Sequence, residues 1–174
     1  LADLLEISRH DAGVADLSTA AIDLRSCVES AYEQVEHLAR ELNVEVQLNL
    51  PDERIAVEAD SRRLERILRN LLANAIDHSE GNPVAVDVAT TETAVGVTVT
   101  DHGVGLKPGQ EELVFNRFWR ADSSRKRHSG GTGLGLAIVK HVLMQHNAHL
   151  EVESKENSGS TFKAVFPKER LYSL

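Results

Sequence analysis

Two asparagines lie four residues apart in a stretch that is otherwise largely apolar. Asn70 and Asn74 belong to ILRNLLANAIDH, and this spacing places both amides on one face of a helix. Amide oxygens can join phosphate oxygens and water around Mg²⁺, a hard cation that usually takes few protein ligands. Two amides that hydrogen-bond to the backbone of a neighbouring element would give the same pattern. When this pair is considered without the other motifs, that structural interpretation is favoured.

An aspartate and two glycines follow directly after a run of alternating valines. Asp101, Gly103 and Gly105 form DHGVG after the predicted strand 95–99. A carboxylate at the end of a strand can accept a hydrogen bond from an exocyclic amine, and glycines let the backbone approach a flat base. An ordinary turn uses the same residue types, but the position after a strand favours a base-binding site.

A glycine-rich segment opens the next predicted helix, at about 134–145. Its six candidate residues are Gly131, Thr132, Gly133, Leu134, Gly135 and Leu136. The free N–H groups and the dipole of a helix start suit a phosphate. A dinucleotide-binding fingerprint has similar glycine spacing, but it needs a strand immediately before it. Here an irregular basic stretch comes first, which argues against that alternative.

That basic stretch, VFNRFWRADSSRKRH, lies between the two glycine motifs. Phe115, Phe118 and Trp119 are clustered there among several arginines, including Arg120. We predict that the aromatics anchor a mobile loop and that its cations reach a triphosphate when the loop closes. An aromatic corner with a solvent-exposed run of charges would explain the aromatics but not the flanking glycines. Interleaved basic and aromatic residues also occur in sites for single-stranded nucleic acid, but a single loop of this kind is weak support for such a site.

The composition narrows the class of protein. A net charge of −8 in 174 residues argues against a general nucleic-acid binder. No apolar run approaches the roughly 18 residues that span a bilayer, so we expect this chain not to cross a membrane. The lone Cys27 excludes an internal disulfide and is predicted to be a packed core thiol. The spacing of the three histidines His141, His146 and His149 does not suit a metal site, and we predict solvent-facing or capping roles.

Periodicity predicts the elements that position these residues. Asp23 is the expected N-cap of a first helix, and helices follow at about 61–78 and 134–145. Predicted strands cover about 44–50, 55–59, 84–88, 95–99, 149–154 and 160–166. Strands and helices do not alternate as regular βαβ units, which favours an α+β sandwich. A loop of about thirty residues within a compact domain is expected only if it works as a lid.

Four motifs in this order, NLLANA, DHGVG, VFNRFWR and GGTGLGL, closely resemble the ATPase domain shared by sensor histidine kinases, gyrase, the Hsp90 chaperones and MutL. The resemblance covers about 24–166, and VFNRFWR matches the histidine-kinase branch best. It implies an α+β, two-layer sandwich of the Bergerat fold, in which a mixed sheet of about five strands packs on three helices. A mobile ATP lid would complete the fold.

The resemblance also implies roles for individual residues. Asn74 would hold Mg²⁺, Asn70 would lie beside the phosphates, Asp101 would bind the adenine amine, and Arg120 would be a lid arginine. Asn70, Asn74 and Arg120 form the implied catalytic set. The other implied ATP-binding residues are Asp77, His78, Gly103, Gly105, Phe115, Phe118, Gly131, Thr132, Gly133, Leu134, Gly135 and Leu136.

Four positions depart from the family pattern. Asp77 and His78 stand where many members have lysine and tyrosine, and Asn157 replaces the first glycine of the last motif. Arg66 occupies the place of the glutamate that hydrolytic relatives use, and a guanidinium cannot act as a base. The absence of that base favours phosphoryl transfer over free ATP hydrolysis.

The implied function is that of a histidine kinase. The chain would bind Mg·ATP and donate the γ-phosphoryl group to a histidine on a dimeric helical hairpin, in two-component signalling with a response regulator. We expect 1–15 to be the truncated end of that hairpin and 16–174 the catalytic domain. With the acceptor missing, the chain should be a monomer that does not phosphorylate itself. It would be a cytoplasmic part of an inner-membrane sensor.

Two other functions share the same nucleotide motifs. An anti-sigma-factor serine kinase has the same ATP site, and a nucleotide-binding regulatory module would bind without catalysis. Within the kinase family, the chain up to 138 is most similar to actinobacterial osmosensing kinases of the Mtr type. The segment VKHVLMQHNAHLEVES is more similar to proteobacterial phosphate-sensing kinases, so a mosaic of two kinases is a further interpretation.

Overall fold

The computed structural model describes residues 17–110, 113, 135–167 and 171–172. Its helices are α1 (Leu24–Glu41), α2 (Ser61–His78) and α3 (Gly135–Gln145). Its strands are β1 (Ala20–Asp23), β2 (Val46–Asn49), β3 (Ala56–Ala59), β4 (Val84–Thr90), β5 (Ala94–Asp101), β6 (His149–Lys155), β7 (Gly159–Pro167) and β8 (Leu171–Tyr172).

The main sheet has five strands in the order β2-β4-β5-β7-β6. Strand β2 runs parallel to β4, and every other pair is antiparallel, so the predicted mixed sheet is confirmed. Alternate residues of each strand face the helices, as a strand's period of two requires. Val86, Val97 and Phe162 are among those that this alternation buries.

The three helices cover one face of this sheet and complete the two-layer sandwich. Helix α2 is central, because it packs against both α1 and α3. Apolar side chains at helical spacing along it are buried: Leu64, Ile67, Leu68, Leu71, Leu72 and Ala75. Cys27 on α1 is also buried, and burial raises the pKa of its thiol to about 12. It is therefore a packed core thiol, as predicted.

A second, smaller sheet was not predicted. Its order is β1-β3-β8, with β1 antiparallel to β3 in the register Ala20↔Ala59. No strand was predicted before Asp23. The pairing partner of β1 lies more than thirty residues away, and the sequence AAID has no clear alternation of its own. Only the long-range pairing makes it a strand.

Two aspartates cap the longer helices. The side chain of Asp23 accepts a hydrogen bond from the backbone N–H of Arg25 (3.1 Å), which confirms the predicted N-cap of α1. The carboxylate of Asp60 accepts from the backbone N–H groups of Arg63 (3.2 Å) and Ser18 (3.0 Å). Asp60 thus starts α2 and also holds the chain that leads into β1.

The histidines of α3 and β6 differ in their surroundings. His146 is fully buried. The prediction that it faces solvent is therefore wrong, and the alternative prediction of a capping role is correct. Its Nε2 accepts from the backbone N–H of Asp60 (3.0 Å), and its Nδ1 lies 2.8 Å from the carbonyl of Val142. Because an amide N–H can only donate, Nδ1 must carry the proton. His149 is exposed, as predicted, and it also pairs with Glu151.

None of the helices in the described part of the chain is both long enough and apolar enough to cross a membrane.

Candidate functional site

One flank of α2 carries a row of polar side chains. Asn70, Asn74 and Asp77 are spaced four and three residues apart, so they lie on one side of the helix, beside its apolar face. The Nδ2 atom of Asn70 is buried, and no other described residue gives it a hydrogen-bond partner. A buried donor of this kind costs about 1–3 kcal/mol when it is left unsatisfied. This flank therefore has the chemistry of a site for a polar ligand.

The start of α3 lies against Asn70. A Cβ atom added to Gly135 would be 3.9 Å from both Cγ and Nδ2 of Asn70. The N-terminus of an α-helix carries partial positive charge and free N–H groups. The fold thus brings Asn70 and Gly135 together, although they are 65 positions apart in the sequence. Leu136, the next residue of α3, packs against the core.

Asp101 is the last residue of β5 and is only 3% exposed. Its Oδ1 accepts a hydrogen bond from the backbone N–H of Gly103 (3.0 Å), and the backbone N–H of Ser160 on β7 also donates to it. Burial raises the pKa of Asp101 to about 6, although these hydrogen bonds and the nearby His102 lower it. At neutral pH the carboxylate is ionised and remains a strong acceptor for an amine.

At two positions, the loop after Asp101 is packed too tightly for any residue but glycine. A Cβ on Gly103 would lie 1.6 Å from the carbonyl oxygen of His78, and one on Gly105 would lie 2.0 Å from that of Lys155. The backbone N–H of Val104 donates to the His78 carbonyl (3.3 Å). The C-terminal end of α2 is therefore pressed against the loop that follows Asp101.

The β6–β7 turn supports this loop from the other side. Asn157 has φ +65°, a left-handed conformation that asparagine tolerates better than most residues. Its backbone N–H donates to the carbonyl of Val104 (2.7 Å). The departure from glycine at 157 is therefore compatible with the turn. Gly159 has φ +107°, and a Cβ there would lie 2.0 Å from the carbonyl oxygen of Asp101.

Sequence reasoning missed two residues that hold the Asp101 loop. Gly159 was not among the predicted site residues. The side-chain amide of Asn82 donates to the carbonyl of His102 (2.8 Å). The only signal for Asn82 was its place in a Gly-Asn-Pro turn, which does not reveal a partner twenty residues away.

The predicted site residues fall into three groups. Asn70 and Gly135 adjoin one another, with Asn74 and Asp77 further along the same flank of α2. Asp101, Gly103 and Gly105 adjoin the end of α2 at His78. The remaining candidates, Phe115, Phe118, Arg120, Gly131, Thr132, Gly133 and Leu134, lie outside the described residues, as do residues 1–16.

The fold and the site define an ATPase domain. Residues 59–170 match the family model described as histidine kinase-, DNA gyrase B- and HSP90-like ATPase. This match covers more than half of the chain, and the chain belongs to that family. The predicted Bergerat-type sandwich is thereby confirmed.

Individual relatives are sensor histidine kinases. The chain is 57% identical over all 174 residues to the sensor histidine kinase MtrB of Mycolicibacterium paratuberculosis and 55% identical to MtrB of Mycobacterium tuberculosis, and it covers 31% of each. It is 36% identical over 168 residues to the sensor-like histidine kinase SenX3 of Mycobacterium bovis, of which it covers 41%. The chain therefore spans about a third of the length of its MtrB relatives. The MtrB match extends on both sides of residue 138.

Solved structures of histidine kinases share the fold. The mycobacterial sensor histidine kinase MprB has a TM-score of 0.74 at 28% identity, over 89% of this chain and 99% of that one. The catalytic domain of the histidine kinase ThkA has a TM-score of 0.74 at 27% identity, over 87% and 99%. Full-length ShkA in complex with AMPPNP has a TM-score of 0.84 at 24% identity, over 99% and 35%, and shows the fold alone.

Proposed function

We propose that this chain is the ATP-binding catalytic domain of a sensor histidine kinase, and that it donates the γ-phosphoryl group of ATP to a histidine on a separate helical hairpin. The observation that carries the proposal is that two chemically distinct sites lie along one helix. A buried carboxylate suited to an amine lies by the end of α2, and a buried amide beside a helix N-terminus lies two turns earlier. Asn70 and His78 are about 12 Å apart along the axis, a span that suits an extended nucleoside triphosphate.

In this proposal each end of the site binds one end of the nucleotide. The carboxylate of Asp101 accepts a hydrogen bond from the exocyclic amine of adenine, while Gly103 and Gly105 keep the loop close enough to shape the pocket. Asn70 and the N-terminus of α3 at Gly135 bind phosphate oxygens. The predicted lid residues Phe115, Phe118 and Arg120, with the glycine-rich segment 131–134, would close over the phosphates.

The donor set of α2 also fits Mg²⁺. Asn74 presents an amide oxygen and Asp77 a carboxylate on the same flank, and both are oxygen ligands of the kind this cation prefers. When bound, Mg²⁺ would neutralise part of the phosphate charge. Asn74 is the residue that we propose to hold it, and Asp77 and His78 complete the proposed nucleotide contacts.

The protein's contribution to the reaction would be positioning and charge compensation. Phosphoryl transfer needs an aligned acceptor more than it needs covalent chemistry by the enzyme. Arg66 stands on α2 where hydrolytic relatives have a glutamate, and arginine cannot activate water as a base. The site is therefore suited to transfer to a histidine that another element presents, rather than to water.

A transfer experiment in trans tests this function. The chain is incubated with γ-labelled ATP and a separate polypeptide that carries the phosphoacceptor hairpin of the related MtrB of Mycolicibacterium paratuberculosis. We expect label on the hairpin and none on this chain alone. We also expect no label with Asp101→Asn, and normal labelling with Asp87→Asn, which neutralises an exposed carboxylate on β4.

The stability of the label separates the proposed function from its alternatives. A phosphohistidine is lost in acid and survives in base, whereas a phosphoserine behaves in the opposite way. Acid-stable label would support a serine kinase instead. Nucleotide binding with no label on any hairpin histidine would contradict the kinase proposal and favour a regulatory module.

A further inference from the structure

Three polar side chains form one row across the main sheet at the proposed base-binding end of the site. Ser154 of β6 is opposite Ser160 of β7, and Ser160 is opposite Asp101 of β5. The next row on the same face of the sheet belongs to the core and consists of Val152, Phe162 and Val99. Residues directly opposite each other on neighbouring strands have Cβ atoms about 4.5–5.5 Å apart. Ser160 is therefore the immediate neighbour of Asp101, and Ser154 is the immediate neighbour of Ser160.

The hydroxyl of Ser154 contacts three other groups. Its Oγ accepts a hydrogen bond from the backbone N–H of Leu106 (2.7 Å), the residue that follows Gly105 in the loop after Asp101. The same Oγ lies 3.1 Å from the carbonyl oxygen of Gly159 and 2.7 Å from the Oγ of Ser160. One oxygen atom of β6 thus holds the loop after Asp101 and the start of β7.

The direction of each hydrogen bond in this network follows from the donor count. A hydroxyl has one proton to donate. The carbonyl of Gly159 can only accept, so the proton of Ser154 goes to Gly159. The contact between the two hydroxyls is then a hydrogen bond only if Ser160 is the donor. Because its one proton is directed to Ser154, the Oγ of Ser160 can only accept a hydrogen bond from any further group.

Asp101 and Ser160 consequently present two acceptors and no side-chain donor to a ligand. The 6-amino group of adenine has two protons to donate, so it matches such a pair. A 6-oxo purine such as hypoxanthine has an acceptor oxygen at the same position. That oxygen would lose its hydrogen bonds to water and gain none from these two side chains, which is unfavourable.

Building on the proposed function, we infer that Ser154 is a positioning residue that determines which purine the site accepts. By holding the proton of Ser160, Ser154 keeps Ser160 an acceptor and so favours a 6-amino purine over a 6-oxo purine. Ser154 acts through Ser160 and does not itself contact the nucleotide. Without the Ser154 hydroxyl, Ser160 can turn its proton towards a 6-oxo group, and the discrimination between the two bases decreases.

The experiment compares the Kd of ADP with the Kd of IDP, its 6-oxo counterpart, by calorimetry in excess Mg²⁺. For the unchanged chain we expect ADP to bind much more tightly. Ser154→Ala should lower the ratio of the IDP value to the ADP value about fivefold, the effect of one hydrogen bond gained by the 6-oxo group. Ser154→Thr keeps the hydroxyl and should keep the ratio. The matched control Ser158→Ala removes an exposed hydroxyl from the β6–β7 turn and should also keep it.

A double variant separates the orientation of Ser160 from the packing around it. In Ser160→Ala there is no hydroxyl for Ser154 to orient. Adding Ser154→Ala to Ser160→Ala should therefore leave the ratio as it is in Ser160→Ala alone. A further fall in the ratio would show that Ser154 acts by another route, which would contradict the inference.

Each remaining outcome decides between separate claims. If Ser154→Ala weakens the binding of ADP and IDP by the same factor, Ser154 only stabilises the loop and the inference is wrong. An unchanged ratio also contradicts it. If the unchanged chain binds neither nucleotide, the proposed function itself fails. Thermal melting checks that each variant is folded. If Ser154→Ala is not, Ser154→Cys replaces it and should lower the ratio in the same direction, since a thiol is a weak donor and acceptor.

Discussion

Asp101 is a buried carboxylate whose protonation is controlled by its place in the fold. The carboxylate is held by two backbone N–H groups at the end of β5, and burial raises its pKa to about 6. A buried, hydrogen-bonded carboxylate with a raised pKa is common at functional sites. The sequence predicted this residue and its role from its place after a strand. It could not predict the protonation behaviour, because that depends on how deeply the fold buries the group.

We predict that recognition of adenine weakens in acid. Since the pKa of Asp101 is about 6 in the folded chain, the ionised acceptor predominates at neutral pH and is lost as the pH falls through that value. If only the ionised form binds, affinity should fall about tenfold for each pH unit below the pKa. Adenosine, which has no phosphate to titrate, is the suitable ligand for an NMR titration across this range. An affinity that does not change with pH would contradict the role of Asp101.

At the scale of elements, the sequence predicted more of the fold than of the site. The period of α2 and the alternation of β4 and β5 determine which faces are buried, and both were read from neighbouring residues. The small sheet of β1, β3 and β8 was not predicted, because its pairing joins segments more than thirty residues apart. The contact of His146 with Asp60 spans 86 residues and has no local signal either.

We predict that His146 is a structural requirement and that His149 is not. His146→Leu would leave the buried N–H of Asp60 without its acceptor and should lower the free energy of unfolding by about 2–4 kcal/mol. His149→Leu removes an exposed pair with Glu151 and should change it by less than about 1 kcal/mol. Denaturant unfolding measures both. Equal losses from the two variants would show that the buried hydrogen bond contributes little.

A comparison of Gly159, in the β6–β7 turn, with Gly109 separates the effect of a close contact on stability from the effect of a left-handed backbone. Gly159 and Gly109 both have positive φ, but a Cβ would meet the Asp101 carbonyl at 2.0 Å in the first case and nothing within 4 Å in the second. Gly109→Ala should cost about 1–2 kcal/mol from its left-handed backbone. Gly159→Ala must also move the end of β5, so we expect a loss above about 3 kcal/mol.

Nucleotide binding gives a second measurement on the same pair of variants. Gly159→Ala displaces the backbone that positions Asp101 and should therefore weaken ADP binding at a temperature where the variant is still folded. Gly109→Ala should bind as the unchanged chain does. If Gly159→Ala loses stability but keeps its full affinity for ADP, the turn does not position the adenine site.

At the scale of the whole molecule, family membership and fold agree with the order of motifs in the sequence. The family resemblance carried by the four motifs implied the two-layer sandwich, and the fold confirms it. The departures at Asp77, His78 and Asn157 could be interpreted only in three dimensions. Asn157 accommodates the left-handed turn, whereas Asp77 places a negative charge within the proposed site. The first departure preserves the fold, and the second changes the charge of the proposed site.

The most direct test of the nucleotide site is a calorimetric titration of ADP with Mg²⁺ into this chain and into Asp101→Asn. The variant is well suited to the comparison. Because the pKa of Asp101 is raised in the folded state, its ionised form destabilises the fold above that pH, and a neutral asparagine should not lower stability at neutral pH. We predict saturable one-to-one binding to the chain, and at least a hundredfold loss, about 2.7 kcal/mol, in the variant. Binding that is equal in both, or absent from the unchanged chain, would contradict the site.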